Sequence, residues 1–221
     1  MEDLPKSHVY SFSPRQLGEE WSSAIDLQVL NMTRRPLLSV GLIGKFTEGQ
    51  WLGYDYGNFS VFDGENIVVS CSQTSSLPEV SKDDLAVLAN YDAESFTVEY
   101  FGKKVPSSES SLHFSAYQSR ADLGAVVHGH VLDFDPLHPE IKAYFVANDL
   151  PLTTSPGKSR DIGRELKDVI RRRPDARIIG MMNHDGGFGL LSLGVSFAEA
   201  CQQLVDVNAR LTHWLGRSGA A

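Results

Sequence analysis

Residues 125–132, "AVVHGHVL", set two histidines one residue apart inside an apolar run. Read as a strand, this run decides the fold. Side chains at i and i+2 of a strand face the same way. His128 and His130 therefore project together, and Gly129 leaves the opposite face bare. Working outward, further strands are predicted over "NFSVF" (58–62) and "NIVVSC" (66–71), joined by the turn Asp63-Gly64. Others follow over "SFTVEYFG" (95–102), "ARIIGMM" (176–182) and "FGLLSLG" (188–194). Helices are predicted over 107–120, 139–149 and 159–173, the last with Ile162, Leu166, Val169 and Ile170 inward. A final helix over 196–216 opens with the capping box Ser196 to Glu199. The first helix is read over 13–31, with Ser13 as N-cap, Pro14 at the first position, and Leu17, Trp21, Ala24 and Gln28 at helical spacing. Strands and helices interspersed along the whole chain imply one α/β domain over residues 1–221, a sheet covered by helices. Short turns between strands make that sheet mixed or antiparallel. Residues 1–12 and 217–221 are read as loose.

Composition excludes several functions. A formal net charge of -8 is the wrong sign for a nucleic-acid or anionic-membrane surface. No apolar run approaches the roughly 20 residues that span a bilayer. The start, "MEDLPKSH", lacks the pattern of a secretory signal. Cys71 and Cys201 both sit in apolar patterns and read as buried free thiols. A cytoplasmic protein is expected.

Two imidazoles one pleat apart, with Cα atoms ~7 Å from each other, can converge on one zinc or iron ion. They can equally sit on a wet sheet face, each hydrogen-bonded separately. Further ligands are available in His184 of "MMNHDGGFG" and Glu109 of "PSSES". Alone, the first is also a plain turn histidine and the second a first-turn carboxylate complementing a helix dipole. The case for a site rests on all four occurring in one chain.

Five landmarks occur in order: "GNFS" (57–60), "QTSSLPEVSKDDL" (73–85), "VPSSES" (105–110), "AVVHGH" (125–130) and "NHDGG" (183–187). In these the chain resembles the class II aldolase/adducin family, which includes fuculose-phosphate aldolases and ribulose-phosphate 4-epimerases. The resemblance runs from about "GLIGKF" to "FAEACQQL". It implies a single three-layer α/β/α domain with a largely antiparallel central sheet. It also implies a homotetramer with active sites between subunits. One divalent metal per chain, zinc first and manganese or iron as alternatives, would be held by His128, His130 and His184, with Glu109 beside it as general base and acid. Asn58, Ser75, Ser76, Ser107 and Ser108 match positions that face the substrate's phosphate. The sequence departs from the family at Ser76, where glycine is common, and at Asp185, inserted beside the third histidine. The family tyrosine that acts from a neighbouring subunit has Tyr144 as its nearest candidate, at a poor spacing.

The chemistry agrees with that resemblance. Cleaving a carbon–carbon bond beside a ketone leaves an enediolate, and a Lewis-acidic metal stabilises its charge without a Schiff-base lysine. A carboxylate beside the metal can accept and return the proton. Hydroxyls and loop amides suit a phosphate. The expected function is a metal-dependent lyase acting by retro-aldol cleavage or decarboxylation on a small, phosphorylated sugar or keto-sugar derivative. The alternatives are an epimerase, a dehydratase or an iron-dependent oxygenase on the same metal, or a non-catalytic adducin-like interaction domain.

Overall fold

The computed structural model describes residues 12–132, 138–156, 159–182 and 187–217. In chain order the elements begin β1 (Ser13–Gly18), α1 (Leu27–Ser39), β2 (Gly44–Lys45), β3 (Asp55–Tyr56), β4 (Asn58–Phe62), β5 (Ile67–Ser70), β6 (Leu85–Asp92) and β7 (Thr97–Phe101). They continue with α2 (Ser110–Ser119), β8 (Ala125–Val131), α3 (Pro139–Ala147), β9 (Leu152–Thr153), α4 (Arg160–Arg172), β10 (Ile178–Met181), β11 (Phe188–Gly194) and α5 (Phe197–Arg217).

Among the described residues, nine strands form one sheet in the order β1-β7-β6-β5-β4-β8-β11-β10-β9, and β2 pairs with β3 apart from it. Strand β8 lies inside the sheet with all seven of its residues buried, which accounts for its apolar run. The six interior pairings are antiparallel. The two edge pairings, β1 with β7 and β9 with β10, are parallel. The sheet is therefore mixed, which corrects the expectation of a largely antiparallel one. Each edge strand is separated from its partner by a long stretch of chain, and such a crossover lets the strands run the same way.

Alternation along β8 sorts the core into two layers. Val126 packs with Leu112 and Ala116 of α2, Ile162, Leu166, Val169 and Ile170 of α4, and Leu191 and Leu193 of β11. Val127 and Val131 face the other way, onto Leu30 and Leu37 of α1, Ile141 and Phe145 of α3, and Leu204, Val207 and Leu211 of α5. Each such side chain contributes roughly 1.5–3 kcal/mol by leaving water. The result is the expected three layers.

Gly129 points to the α5 side. A Cβ there would stand 2.9 Å from Leu204 Cδ2 and 2.9 Å from the Leu42 carbonyl oxygen. That carbonyl accepts the His130 backbone N–H at 2.8 Å. A glycine separates the histidines because the chain after α1 and helix α5 close onto the back of the strand.

One predicted helix is corrected. Residues 13–18 form edge strand β1, paired in parallel with β7, and α1 starts only at Leu27. Its N-cap is Asp26, whose carboxylate accepts from the Gln28 and Val29 amides at 2.9 and 3.1 Å. Pairing along the β7 edge outweighs the helical spacing of the segment, and Pro14 is tolerated because an edge strand leaves some amides unused. The Asp63-Gly64 turn forms as expected, with Asp63 accepting from the Glu65 and Asn66 amides and Gly64 at φ +102°. In the final helix Ser196 accepts the Glu199 amide at 3.2 Å, but Glu199 returns its bond to the Val195 amide. Both cysteines are buried and free.

Candidate active site

The β4–β8 register sets Asn58 directly opposite His128. Both side chains, with Ser60 and His130, rise from the face covered by α2. The rings of His128 and His130 converge, with centroids 4.8 Å apart. His128 Nδ1 lies 3.1 Å from the Leu190 carbonyl of the neighbouring strand. A carbonyl only accepts, so Nδ1 carries the proton and Nε2 presents its lone pair. Glu109 Oε2 stands 3.3 Å from that Nε2. Two electron-rich atoms at this distance call for a proton or a cation between them. The donor chemistry of His128, His130 and Glu109 thus fits a divalent ion, with the orienting bond to Leu190 of the kind that metal-binding histidines use. His130 is walled by the rings of Tyr56 and Phe46, at centroid distances of 5.4 and 5.9 Å. Among the described residues, no group of three or more His, Cys, Asp or Glu closes on a common point.

Glu109 is the N-cap residue of α2, yet its side chain caps no backbone amide. Its carboxylate, 3 % exposed, instead accepts from Asn58 Nδ2 at 2.7 Å. This decides between the two meanings of an acidic residue at a helix start. The preceding loop is tied to the end of β5 through the Ser107 amide on the Ser70 carbonyl, 3.0 Å. Glycine is required before Asn58: Gly57 has φ +75°, and a Cβ there would meet Ile43 Cγ2 at 2.5 Å.

Behind Asn58 the hydrogen bonding continues inward. Asn58 Oδ1 is 2.5 Å from His113 Nε2, and His113 Nδ1 is 2.7 Å from Ser60 Oγ. Tyr117 Oη lies 3.1 Å from the same serine oxygen. His113 is wholly buried, and burial pushes its pKa down to about 3, with nearby His128 adding to the effect and Glu109 opposing it. Burial likewise pushes the Tyr117 hydroxyl well up.

The predicted phosphate residues gather at the same end of the sheet, but several are engaged within the chain. Ser75 Oγ donates to the Gly57 carbonyl. The Ser76 amide and hydroxyl both donate to the Asp55 carboxylate, each at 2.9 Å. The Asp55 side chain is buried and pairs at 3.5 Å with the exposed Lys45. Ser107 Oγ accepts the Glu109 amide at 3.4 Å, and Ser108 is half-buried beside it. Arg34 braces the turn from behind. Fully buried, it donates to the Ser75, Leu77 and Pro78 carbonyls.

His184 and Asp185 lie outside the described residues. Tyr144 is not brought to the cluster. Its ring packs on Phe145 and Trp214, at 5.6 and 5.8 Å, in the core layer on the α5 side of the sheet. Tyr144 is 3 % exposed within its own chain. The residues that motif reading missed are His113, Tyr117, Asp55 and Arg34, and Ser60, quoted within "GNFS", is not assigned its bond to His113. Spacing alone points to three of them: His113 and Tyr117 follow Glu109 by one and two helical turns, and Ser60 shares a strand face with Asn58.

Fold and site together define an α/β/α domain in which a sheet-borne His-x-His pair faces a buried glutamate. The chain belongs to the family described as Class II Aldolase and Adducin N-terminal domain, whose profile matches residues 42–214. A 5-deoxy-D-ribulose 1-phosphate aldolase of Bacillus thuringiensis is 35% identical over 74 residues, which is 34% of this chain and 33% of that protein. The match thus spans only about a third of the curated relative's length. Among solved structures, the sugar-phosphate aldolase of Thermotoga maritima superposes with a TM-score of 0.58 at 14% identity, covering 86% of this chain and 93% of that one. The L-fuculose-1-phosphate aldolase of Thermus thermophilus gives 0.55 at 15% identity, covering 85% and 93%. At these identities the likeness is one of fold.

Proposed function

We propose that this chain is a divalent-metal-dependent lyase of the aldolase type, acting on a small phosphorylated sugar derivative. The observation that carries the proposal is the orientation of Glu109, turned from its helix end toward Asn58 and His128. His128, His130 and His184 are the residues to hold the metal, zinc first with manganese or iron as alternatives. When bound, the ion supplies Lewis acidity to the oxygens of a ketose. The chain does the rest. Glu109 accepts the proton of the substrate hydroxyl as the carbon–carbon bond breaks and returns it to the carbon left behind. Asn58 holds the carboxylate by its amide N–H. Phe46 and Tyr56 flank His130 with apolar surface that limits water. The sugar-phosphate substrate is supported by the name of the curated relative and by the serines of the turn before α2. A homotetramer is proposed with it.

One observation favours a second reading of the substrate's far end. Asp55 already holds both donors of Ser76. A substrate without a phosphate at that turn would leave this pairing undisturbed.

The test combines metal analysis of protein purified without added metal with aldehyde release from 5-deoxy-D-ribulose 1-phosphate and other ketose phosphates. About one divalent ion per chain, chelator-sensitive turnover, and a loss of ~10²–10⁴-fold in Glu109→Gln are expected. Turnover unchanged in that variant would return Glu109 to a helix-end carboxylate.

A further inference from the structure

The buried chain behind Asn58 admits one consistent direction of hydrogen bonding. Glu109 Oε2 accepts from the Asn58 amide nitrogen at 2.7 Å, so the amide oxygen must face His113. His113 Nε2, 2.5 Å from that oxygen, must then carry the ring proton. His113 Nδ1 is left with its lone pair and accepts the Ser60 hydroxyl at 2.7 Å. A serine has one hydroxyl hydrogen. With that given to His113, the 3.1 Å contact to Tyr117 is made by the tyrosine O–H donating to Ser60.

An asparagine amide is nearly symmetric in shape, and shape alone does not choose between its two orientations. The reverse orientation would turn the amide oxygen onto the Glu109 carboxylate and the NH₂ onto a ring N–H, two repulsive contacts in a buried space. The carboxylate, which only accepts, sets the amide; His113 Nε2–H matches the amide oxygen so set, and the two hydroxyls, each able to donate or accept, follow.

We propose that His113, as the Nε2–H tautomer, is a positioning residue that donates to the Asn58 amide oxygen, keeps the Asn58 NH₂ toward Glu109 and so aims the carboxylate at His128. It acts through Asn58 and touches no reacting atom. The inference rests on the reading of Glu109 as the proton-transfer group. Its geometry comes from contacts that reading does not require.

Two measurements test it. The first is long-range ¹H–¹⁵N correlation of the histidine side chains in the wild-type zinc-loaded protein. A neutral Nε2–H tautomer for His113 is expected, and an Nδ1–H tautomer overturns the proposal. The second compares His113→Phe, which keeps the ring volume without a donor, with His113→Gln, which returns an N–H near the position of Nε2. With 5-deoxy-D-ribulose 1-phosphate as probe, kcat should fall about 10–100-fold in His113→Phe, with KM and metal content little changed. His113→Gln should recover much of the loss. A folded His113→Phe with wild-type kcat overturns the proposal, as does a loss in His113→Gln equal to that in His113→Phe. Should His113→Phe fail to fold, His113→Gln and the tautomer decide. If the wild type cleaves no ketose phosphate, the lyase reading fails by itself, and the tautomer measurement still decides the positioning.

Discussion

Gly129→Ala tests why a glycine stands between the two histidines. The added methyl would sit 2.9 Å from Leu204 Cδ2, 2.9 Å from the Leu42 carbonyl oxygen and 3.3 Å from Leu42 Cβ. The leucine tip can rotate away, but the carbonyl is backbone and holds the His130 N–H at 2.8 Å. Overpacking of this kind costs about 1–3 kcal/mol. Stretching the carbonyl bond adds about 1 kcal/mol, for a loss of roughly 2–4 kcal/mol. In a chain of this size that lowers the thermal midpoint by roughly 4–16 °C. The strain has a path to the site, since Ile43 follows Leu42 and packs against Gly57, the residue before Asn58. Gly216→Ala is the control: it lies late in α5, where an added Cβ would meet nothing within 4 Å, and should be neutral or stabilising by up to about 1 kcal/mol. Thermal and urea unfolding of both variants measure the effect. A Gly129→Ala protein that unfolds with wild type would refute the account of the closed back face.

Asp55→Asn removes a charge while keeping an acceptor for Ser76. A phosphate reaching that turn would face the Asp55 carboxylate that holds Ser76, so affinity for inorganic phosphate, by titration calorimetry, should rise on the order of tenfold or more. Equal affinity in the two proteins would show that the turn takes no phosphate. His113 gives a pH signature. Its pKa falls from 6.5 in the unfolded chain to about 3 in the fold. The folded state therefore binds fewer protons, and stability is lost as pH drops from about 6.5 toward 3. Between about pH 7 and pH 5 the stability advantage of wild type over His113→Phe, from urea unfolding at each pH, should shrink by about 2 kcal/mol. A gap independent of pH would contradict a buried neutral imidazole. Light scattering should find a homotetramer, and full activity in a monomer would remove that proposal.

The strand β8, the helix α4 and the landmarks carrying Asn58, Glu109, His128 and His130 were legible in the sequence because each rests on local periodicity or a short motif. Four-residue steps set the inward face of α4, and two-residue steps set the two histidines side by side. The same periodicity misled at residues 13–18, where the partner strand β7 lies about eighty residues away and no local pattern announces the pairing. Motifs also name residue types without their directions. Glu109 reads equally as a helix-end carboxylate until the β4–β8 register brings Asn58 and His128 beneath it. Ser76 reads as a phosphate donor, and only the fold shows that Asp55, twenty-one residues earlier, already accepts from its hydroxyl. The motif order offers Tyr144 as the candidate catalytic tyrosine, and only the fold shows that α3 packs its ring in the core layer. Which polar groups face which partner is set by long-range packing, because a buried donor or acceptor takes whatever complementary group the other strands and helices deliver to it.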